Sequence, residues 1–191
     1  MRSFIALEMP PEVKEFAAGL IKELKPSGAD VKWVEPMNLH LTLKFLGEVD
    51  PSATADIITA LEGALAGRSA PGLSAAGCGA FPNARSPKVV WLGLGGQTDL
   101  VAQMARAVET ALEPLGFEAE KRAFKPHLTL GRVRRPRRGA GAPSTAPLSR
   151  ALAALAAAAG PSFRADRVVL MKSTLTGSGP IYESLHHVTL V

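Results

Sequence analysis

The sequence predicts an α+β protein of two similar lobes, related by a pseudo-twofold axis and facing one groove. Two repeats carry that expectation. The tetrapeptide His40-Leu41-Thr42-Leu43 returns unchanged, 87 residues later, as His127-Leu128-Thr129-Leu130. Each copy alternates polar residue and leucine, the period of a half-buried strand with His and Thr on one face. The surroundings repeat as well: Phe4 precedes His40 by 36 residues, and Trp91 precedes His127 by 36. Each interval holds a strand and a long helix, and each motif strand is followed by another helix. Two such units would bring one motif strand from each lobe to opposite sides of a single groove.

The elements follow in order. Ser3 to Glu8 reads as an opening strand. Pro10-Pro11 starts a helix through about Lys25, with Val13, Phe16, Ala17, Leu20, Ile21 and Leu24 at helical spacing. Val31 to Val34 is a short strand, and Leu39 to Leu46 is the first motif strand, closed by Gly47. Pro51 to Leu65 is a helix burying Ile57, Ile58, Leu61 and Leu65. Leu73 to Phe81 is a strand weakened by glycine, and Phe81 to Pro87 a loop. Val89 to Leu94 is a buried strand, Gln97 to Leu115 a long helix, and His127 to Val133 the second motif strand. Arg134 to Pro147, rich in Arg, Gly and Pro, is expected to be a mobile loop. Leu148 to Ala158 is an Ala-rich helix. Phe163 to Thr176 and Ile181 to Val191 close the chain as a strand pair around Gly177-Ser178-Gly179-Pro180.

With 191 residues, 47% of them hydrophobic and 20% charged, the chain is long and apolar enough to bury a real core. It is expected to form one domain of two intertwined lobes over residues 1–191. The single cysteine, Cys78, excludes an internal disulfide and fits a reducing compartment. The N-terminus reaches Glu8 too early for a signal peptide's apolar core, and the apolar run Ala151 to Ala159 falls short of the ~20 residues that span a bilayer. A cytoplasmic protein with no membrane association, acting as a monomer, is the expectation.

The net charge of +5 is uneven. Lys121, Arg122, Lys125, Arg132, Arg134, Arg135, Arg137 and Arg138 lie within one stretch that contains no acid, and without them the chain would carry about −3. This basic rim surrounds the second motif strand. It would attract a polyanion such as RNA; a solvated Arg-rich loop is the plain alternative for Arg134 to Arg138.

Two histidines, each with a hydroxyl two residues on, are the parts needed for acid–base attack on a phosphate ester. Imidazole titrates near neutrality, so one ring can accept a proton while the other donates. Threonine hydroxyls can donate hydrogen bonds to phosphoryl oxygens. The competing view is that His and Thr merely decorate an exposed sheet face. A third copy, His187-Val188-Thr189-Leu190, lacks the preceding strand–helix unit and reads as an ordinary strand position. His186 is expected to be packed or exposed, without chemistry. Phe45, Trp33 and Trp91 read as core, and Tyr182 as packed in preference to lining a cleft.

The stretches Arg2-Ser3-Phe4-Ile5-Ala6, Val31-Lys32-Trp33-Val34, Asn38 to Gly47, Phe81-Pro82 through Trp91-Leu92-Gly93, and Phe124 to Arg132 resemble the two-histidine phosphoesterases. Among these the chain is most similar to the RNA 2′,3′-cyclic phosphodiesterase family, also named 2′-5′ RNA ligase. The resemblance spans nearly the whole chain; the loop after Arg134 and the Ala-rich helix are its least characteristic parts. It implies two antiparallel sheets with outer helices and a central cleft, and no metal or other cofactor. It implies that His40 donates a proton to the departing ribose oxygen, that His127 activates water, and that Thr42 and Thr129 hold the phosphate. The implied substrates are RNA ends or nucleotides bearing a 2′,3′-cyclic phosphate, opened to a 2′-phosphate, with ligation as the reverse reaction.

Arg132 resembles a substrate-binding position of that family. Strict alternation aims it away from the His127 face, so it sits past a bend near Gly131 or serves structure; a phosphate contact is favoured. The rival activities are cleavage of a small cyclic nucleotide or ADP-ribose cyclic phosphate, and non-catalytic binding of nucleotide or RNA. No P-loop, dinucleotide fingerprint, zinc-ligand cluster or serine-hydrolase signal is present.

Overall fold

The opening run Ser3-Phe4-Ile5-Ala6-Leu7 is buried throughout in the computed structural model, as suits an interior strand. The structure describes residues 1–134, 144–177 and 179–191. Most of the predicted Arg/Gly/Pro loop, with Arg135, Arg137 and Arg138, lies outside the described residues, as does Ser178.

The opening strand, β1 (Arg2–Glu8), is followed by α1 (Pro11–Leu24), β2 (Val31–Trp33) and the first motif strand β3 (His40–Glu48). Next come α2 (Thr54–Leu65), β4 (Gly72–Phe81), β5 (Val89–Gly96), α3 (Thr98–Leu112) and the second motif strand β6 (His127–Val133). The chain ends with α4 (Ala146–Ala154), β7 (Ala159–Arg164), β8 (Arg167–Leu175) and β9 (Pro180–Thr189). All strand pairs are antiparallel. One sheet runs β3-β1-β8-β9 and the other β2-β6-β5-β4-β7. Apart from the added edge strand β2, the two orders correspond strand for strand: each motif strand pairs with the strand preceding it by one repeat interval.

The helices cover the outer faces in an exchanged manner. α2 and α3 pack together over the first sheet, while α1 and α4 pack over the second. Thus α1, which follows a strand of the first sheet, covers the second, and α3 does the reverse. On α1, Val13, Ala17, Leu20, Ile21 and Leu24 are buried as their spacing implied, with Phe16 half-buried beside them; α3 buries Val101, Met104, Ala105, Val108 and Leu112. No helix among the described residues is long and apolar enough to cross a membrane.

Two of the expected elements need correction. The run Phe163 to Thr176 is not one strand. It breaks at Ala165-Asp166, so that β7 joins the second sheet and β8 the first. A single strand cannot serve two cores, and the two corner residues are tied down by hydrogen bonds from Ala165 N–H to Pro71 O and from Leu190 N–H to Asp166 O. The Ala-rich helix also ends at Ala154, short of Ala158, because the chain is needed as β7 from Ala159 onward.

The motif strands share a feature that periodicity alone conceals. In β3, Ala6 faces Thr42 but Ile5 faces Lys44, so Leu43 is an extra residue. In β6, Trp91 faces Thr129 but Val90 faces Gly131, so Leu130 is extra in the same place. Each bulge follows the threonine and puts two successive residues inward: Leu43 with Lys44, and Leu130 with Gly131. The next residue, Phe45 or Arg132, therefore returns to the face of the histidine and threonine. Phe45, expected in the core, is 63% exposed for this reason. The same bend resolves the alternation problem at Arg132.

Gly131 leaves room for β2 beside the second bulge. A Cβ there would stand 2.6 Å from Val31 Cγ1 and 2.9 Å from Trp33 Cε3 on β2. Gly131→Ala is expected to destabilise the fold by about 1–3 kcal/mol through overpacking. Adding Val31→Ala should recover part of that loss. Denaturant unfolding of the three proteins checks this, and an undiminished midpoint for Gly131→Ala would refute the close packing.

Candidate active site

Both motif histidines sit at the first position of their strands, and both rings are held in the same way. His40 Nδ1 lies 2.7 Å from the carbonyl of Asn38, and His127 Nδ1 lies 2.6 Å from the carbonyl of Lys125. A carbonyl only accepts, so Nδ1 carries the proton in each neutral ring and Nε2 keeps its lone pair. The local sequences supply these acceptors. Pro36 opens one 3₁₀ turn that ends at Asn38, whose side chain donates to Pro180 O at 3.2 Å. Pro126 biases Lys125 towards extended backbone.

His40 lies in an aromatic box. Phe4 stacks on it with centroids 4.6 Å apart, and Tyr182 meets it edge-on at 5.3 Å. Tyr182 also meets Phe4 edge-on at 5.1 Å. Tyr182, expected to be ordinary packing, is thus a wall of the His40 site. Burial pulls the His40 pKa below the usual imidazole value; the hydrogen bond to Asn38 opposes this, and the Lys14 cation on α1 adds to it. His127 has a different wall. Phe81 stands edge-on to it at 4.9 Å and leans on Trp91 at 5.5 Å, with Lys125 Nζ 6.0 Å from the Phe81 centroid. Trp91 itself lies over Gly79 and is half-buried, as is Trp33.

Thr42 and Thr129 are half-buried on the faces that carry the histidines, and neither hydroxyl has a hydrogen-bond partner among the described residues. Arg132 links the two halves. Burial raises the Tyr182 pKa, while the cations of Arg132 and Arg2 draw it back down. Arg132 on β6 therefore acts electrostatically on the ring that walls His40 on β3, where the two motif strands run against each other. Around the second motif, Arg122 is paired with Glu120 and Arg134 with Asp30. Arg132 and Lys125 have no carboxylate partner among the described residues.

The third His-x-Thr copy lies on β9, away from the two motif strands. His187 is exposed on β9, opposite Val169. His186 Nε2 lies 3.0 Å from Glu62 Oε1 on α2, angled too poorly for a hydrogen bond. Among the described residues, no three His, Cys, Asp or Glu side chains converge as metal ligands. Sequence reasoning missed Lys14, Phe4 and Phe81 as parts of the site. Phe4 and Phe81 lay within stretches of the resemblance, whereas nothing marked Lys14 among the other lysines of its helix.

A family model for LigT-like phosphoesterases matches residues 7–91 and 94–182. The RNA 2′,3′-cyclic phosphodiesterase of Archaeoglobus fulgidus is 39% identical over 189 residues, covering 97% of this chain and 98% of the relative. That of Methanothermobacter thermautotrophicus is 34% identical over 185 residues, covering 97% and 96%. Among solved structures, TT0787 of Thermus thermophilus superposes with a TM-score of 0.78 at 27% identity, covering 99% of this chain and 97% of that one. E. coli LigT in complex with NADP+ superposes with a TM-score of 0.72 at 25% identity, covering 99% and 96%. Two antiparallel sheets, each offering a His-Thr pair, are the mark of a two-histidine phosphoesterase. Within that class, the chain belongs to the LigT-like phosphoesterase family.

The lowered pKa of His40 sets a sign. The unfolded chain binds this proton near the ordinary value of 6.5, and the folded chain only at lower pH. Stability from the neutral ring is therefore present above about pH 6.5 and is lost as pH falls towards the folded pKa. Lys14→Gln should raise the folded pKa and shrink that loss. An NMR titration of the His40 ring reads it directly; a midpoint that stays put or falls in the variant would contradict the assignment to Lys14.

Proposed function

We propose that this protein hydrolyses RNA-terminal 2′,3′-cyclic phosphates to 2′-phosphates by paired acid–base catalysis between His40 and His127. The observation that carries the reading is the matched presentation of the two motifs: each offers a free Nε2, fixed through Nδ1, beside a threonine hydroxyl. Water attacks phosphorus while His127 Nε2 takes its proton. The bond from phosphorus to the 3′-oxygen breaks, and that oxygen receives the proton carried by His40 Nε2. The assignment of donor and acceptor follows the family resemblance. A lowered His40 pKa suits a donor, since a more acidic imidazolium gives up its proton more readily, and the anionic phosphate favours the protonated ring on binding.

Thr42 and Thr129 donate hydrogen bonds to the non-bridging oxygens from either side, where charge accumulates in the transition state. Arg132 grips the phosphate through its forked N–H groups, and exposed Phe45 offers a flat face to a base. The strained ring needs alignment and proton transfer more than a Lewis acid, so the reaction is expected to proceed without metal. Joining a 2′,3′-cyclic phosphate to a 5′-hydroxyl is the same displacement with that hydroxyl attacking phosphorus in place of water, the 3′-oxygen again leaving with the proton of His40.

A second reading, cleavage of a small cyclic nucleotide, draws on the NADP+ complex of E. coli LigT. Salt separates the two. Turnover of an RNA substrate should weaken steeply as ionic strength rises, because several phosphates meet the basic rim, whereas a mononucleotide should respond weakly.

The central test is hydrolysis of a 2′,3′-cyclic-phosphate oligonucleotide in chelator. His40→Ala and His127→Ala should each reduce kcat/KM by about 10²- to 10⁴-fold. Arg132→Met should act mainly through KM. Full activity in both histidine variants, or a requirement for added divalent metal, would overturn the mechanism.

A further inference from the structure

Lys44 is the only charged side chain buried among the described residues, at 6% exposure. The bulge after Thr42 turns it inward beside Leu43, on a face otherwise lined by Leu41, Leu43 and Leu46. Its Nζ donates to Glu109 Oε1 on α3 at 3.1 Å and to the carbonyl of Glu118 at 2.7 Å. The Glu109 carboxylate in turn accepts the Glu120 N–H through both oxygens, at 3.2 and 3.0 Å. One ion pair, with its lysine buried and its carboxylate partly so, thus holds two points of the chain between α3 and β6.

That chain needs holding. Residues 118–126 contain no helix or strand, and residues 118–123 are exposed. Phe124 is the one member that packs against the core. The segment ends on Lys125, whose carbonyl fixes the ring of His127.

We propose that Lys44 is a positioning residue for His127: paired with Glu109, it sets the 118–126 segment and, through the Lys125 carbonyl, orients the opposite imidazole. A motif strand of one sheet thereby steers the histidine of the other. Stability alone is a poor reason for such a pair, since a buried ion pair replaced by an apolar side chain of similar volume is often neutral or better. Its value lies in geometry. The equivalent position of β6 is Gly131, so the arrangement acts in one direction only.

The role of Lys44 in turnover rests on the activity proposed above, whereas its effect on the His127 ring does not, and the test separates them. Long-range proton–nitrogen NMR spectra report which ring nitrogen carries the proton. In Lys44→Met/Glu109→Gln, His127 should lose its fixed Nδ1–H form and become a tautomer mixture. His40 should keep its own form and so report an intact fold. With the cyclic-phosphate oligonucleotide, kcat should fall by about 10- to 100-fold while KM changes by less than about twofold. Lys44→Arg should recover much of both signals. If the double variant loses the His40 signal as well, Glu109→Gln alone should still release the His127 ring. An unchanged His127 spectrum in whichever variant keeps the His40 signal would overturn the proposal. So would a kcat within about twofold of wild type. Should wild type fail to cleave the oligonucleotide, the proposed reaction falls and the His127 spectrum still decides the positioning role.

Discussion

One extra residue in each motif strand governs what shares a face with the histidines. Without the bulges at Leu43 and Leu130, the strict alternation of a strand would send Phe45 and Arg132 inward and bring Lys44 out. With them, each histidine gains a second companion beside its threonine: an aromatic ring on one side, a guanidinium on the other. The pseudo-symmetry of the backbone thus produces two half-sites with different chemistry. The inward partners diverge as well, Lys44 tying down a distant segment and Gly131 making room for Val31 and Trp33.

Much of this was legible in the sequence because the repeat is local and strictly patterned. β6 begins at His127 and ends at Val133, as expected, and α1 buries all but Phe16 of the residues its spacing selected. The sequence was silent where distance along the chain matters. Nothing in Phe163 to Thr176 signals that its two parts enter different sheets, because both are apolar and only long-range pairing distinguishes them. Phe45 and Tyr182 were misjudged for a related reason. Aromatic residues are counted as core by default, and their exposure here depends on a one-residue shift of register and on the return of β9 past His40.

The electrostatic reading also gained resolution. Composition revealed a block of cations around the second motif but could not separate the paired from the unpaired. Arg122 and Arg134 answer to nearby carboxylates, whereas Lys125 stands near Phe81, the wall of His127, and Arg132 acts on Tyr182, the wall of His40. Lys14, remote in sequence and outside that block, is the cation that bears on His40.

The exchanged helices have a mechanical consequence. Each half of the chain lends its first helix to the other half's sheet, and the strands β4 and β8 are lent in the same reciprocal way. Such an interlaced partnership leaves no single hinge about which two bodies could swing apart. Any change in the spacing between the motif strands would have to bend several chain crossings at once.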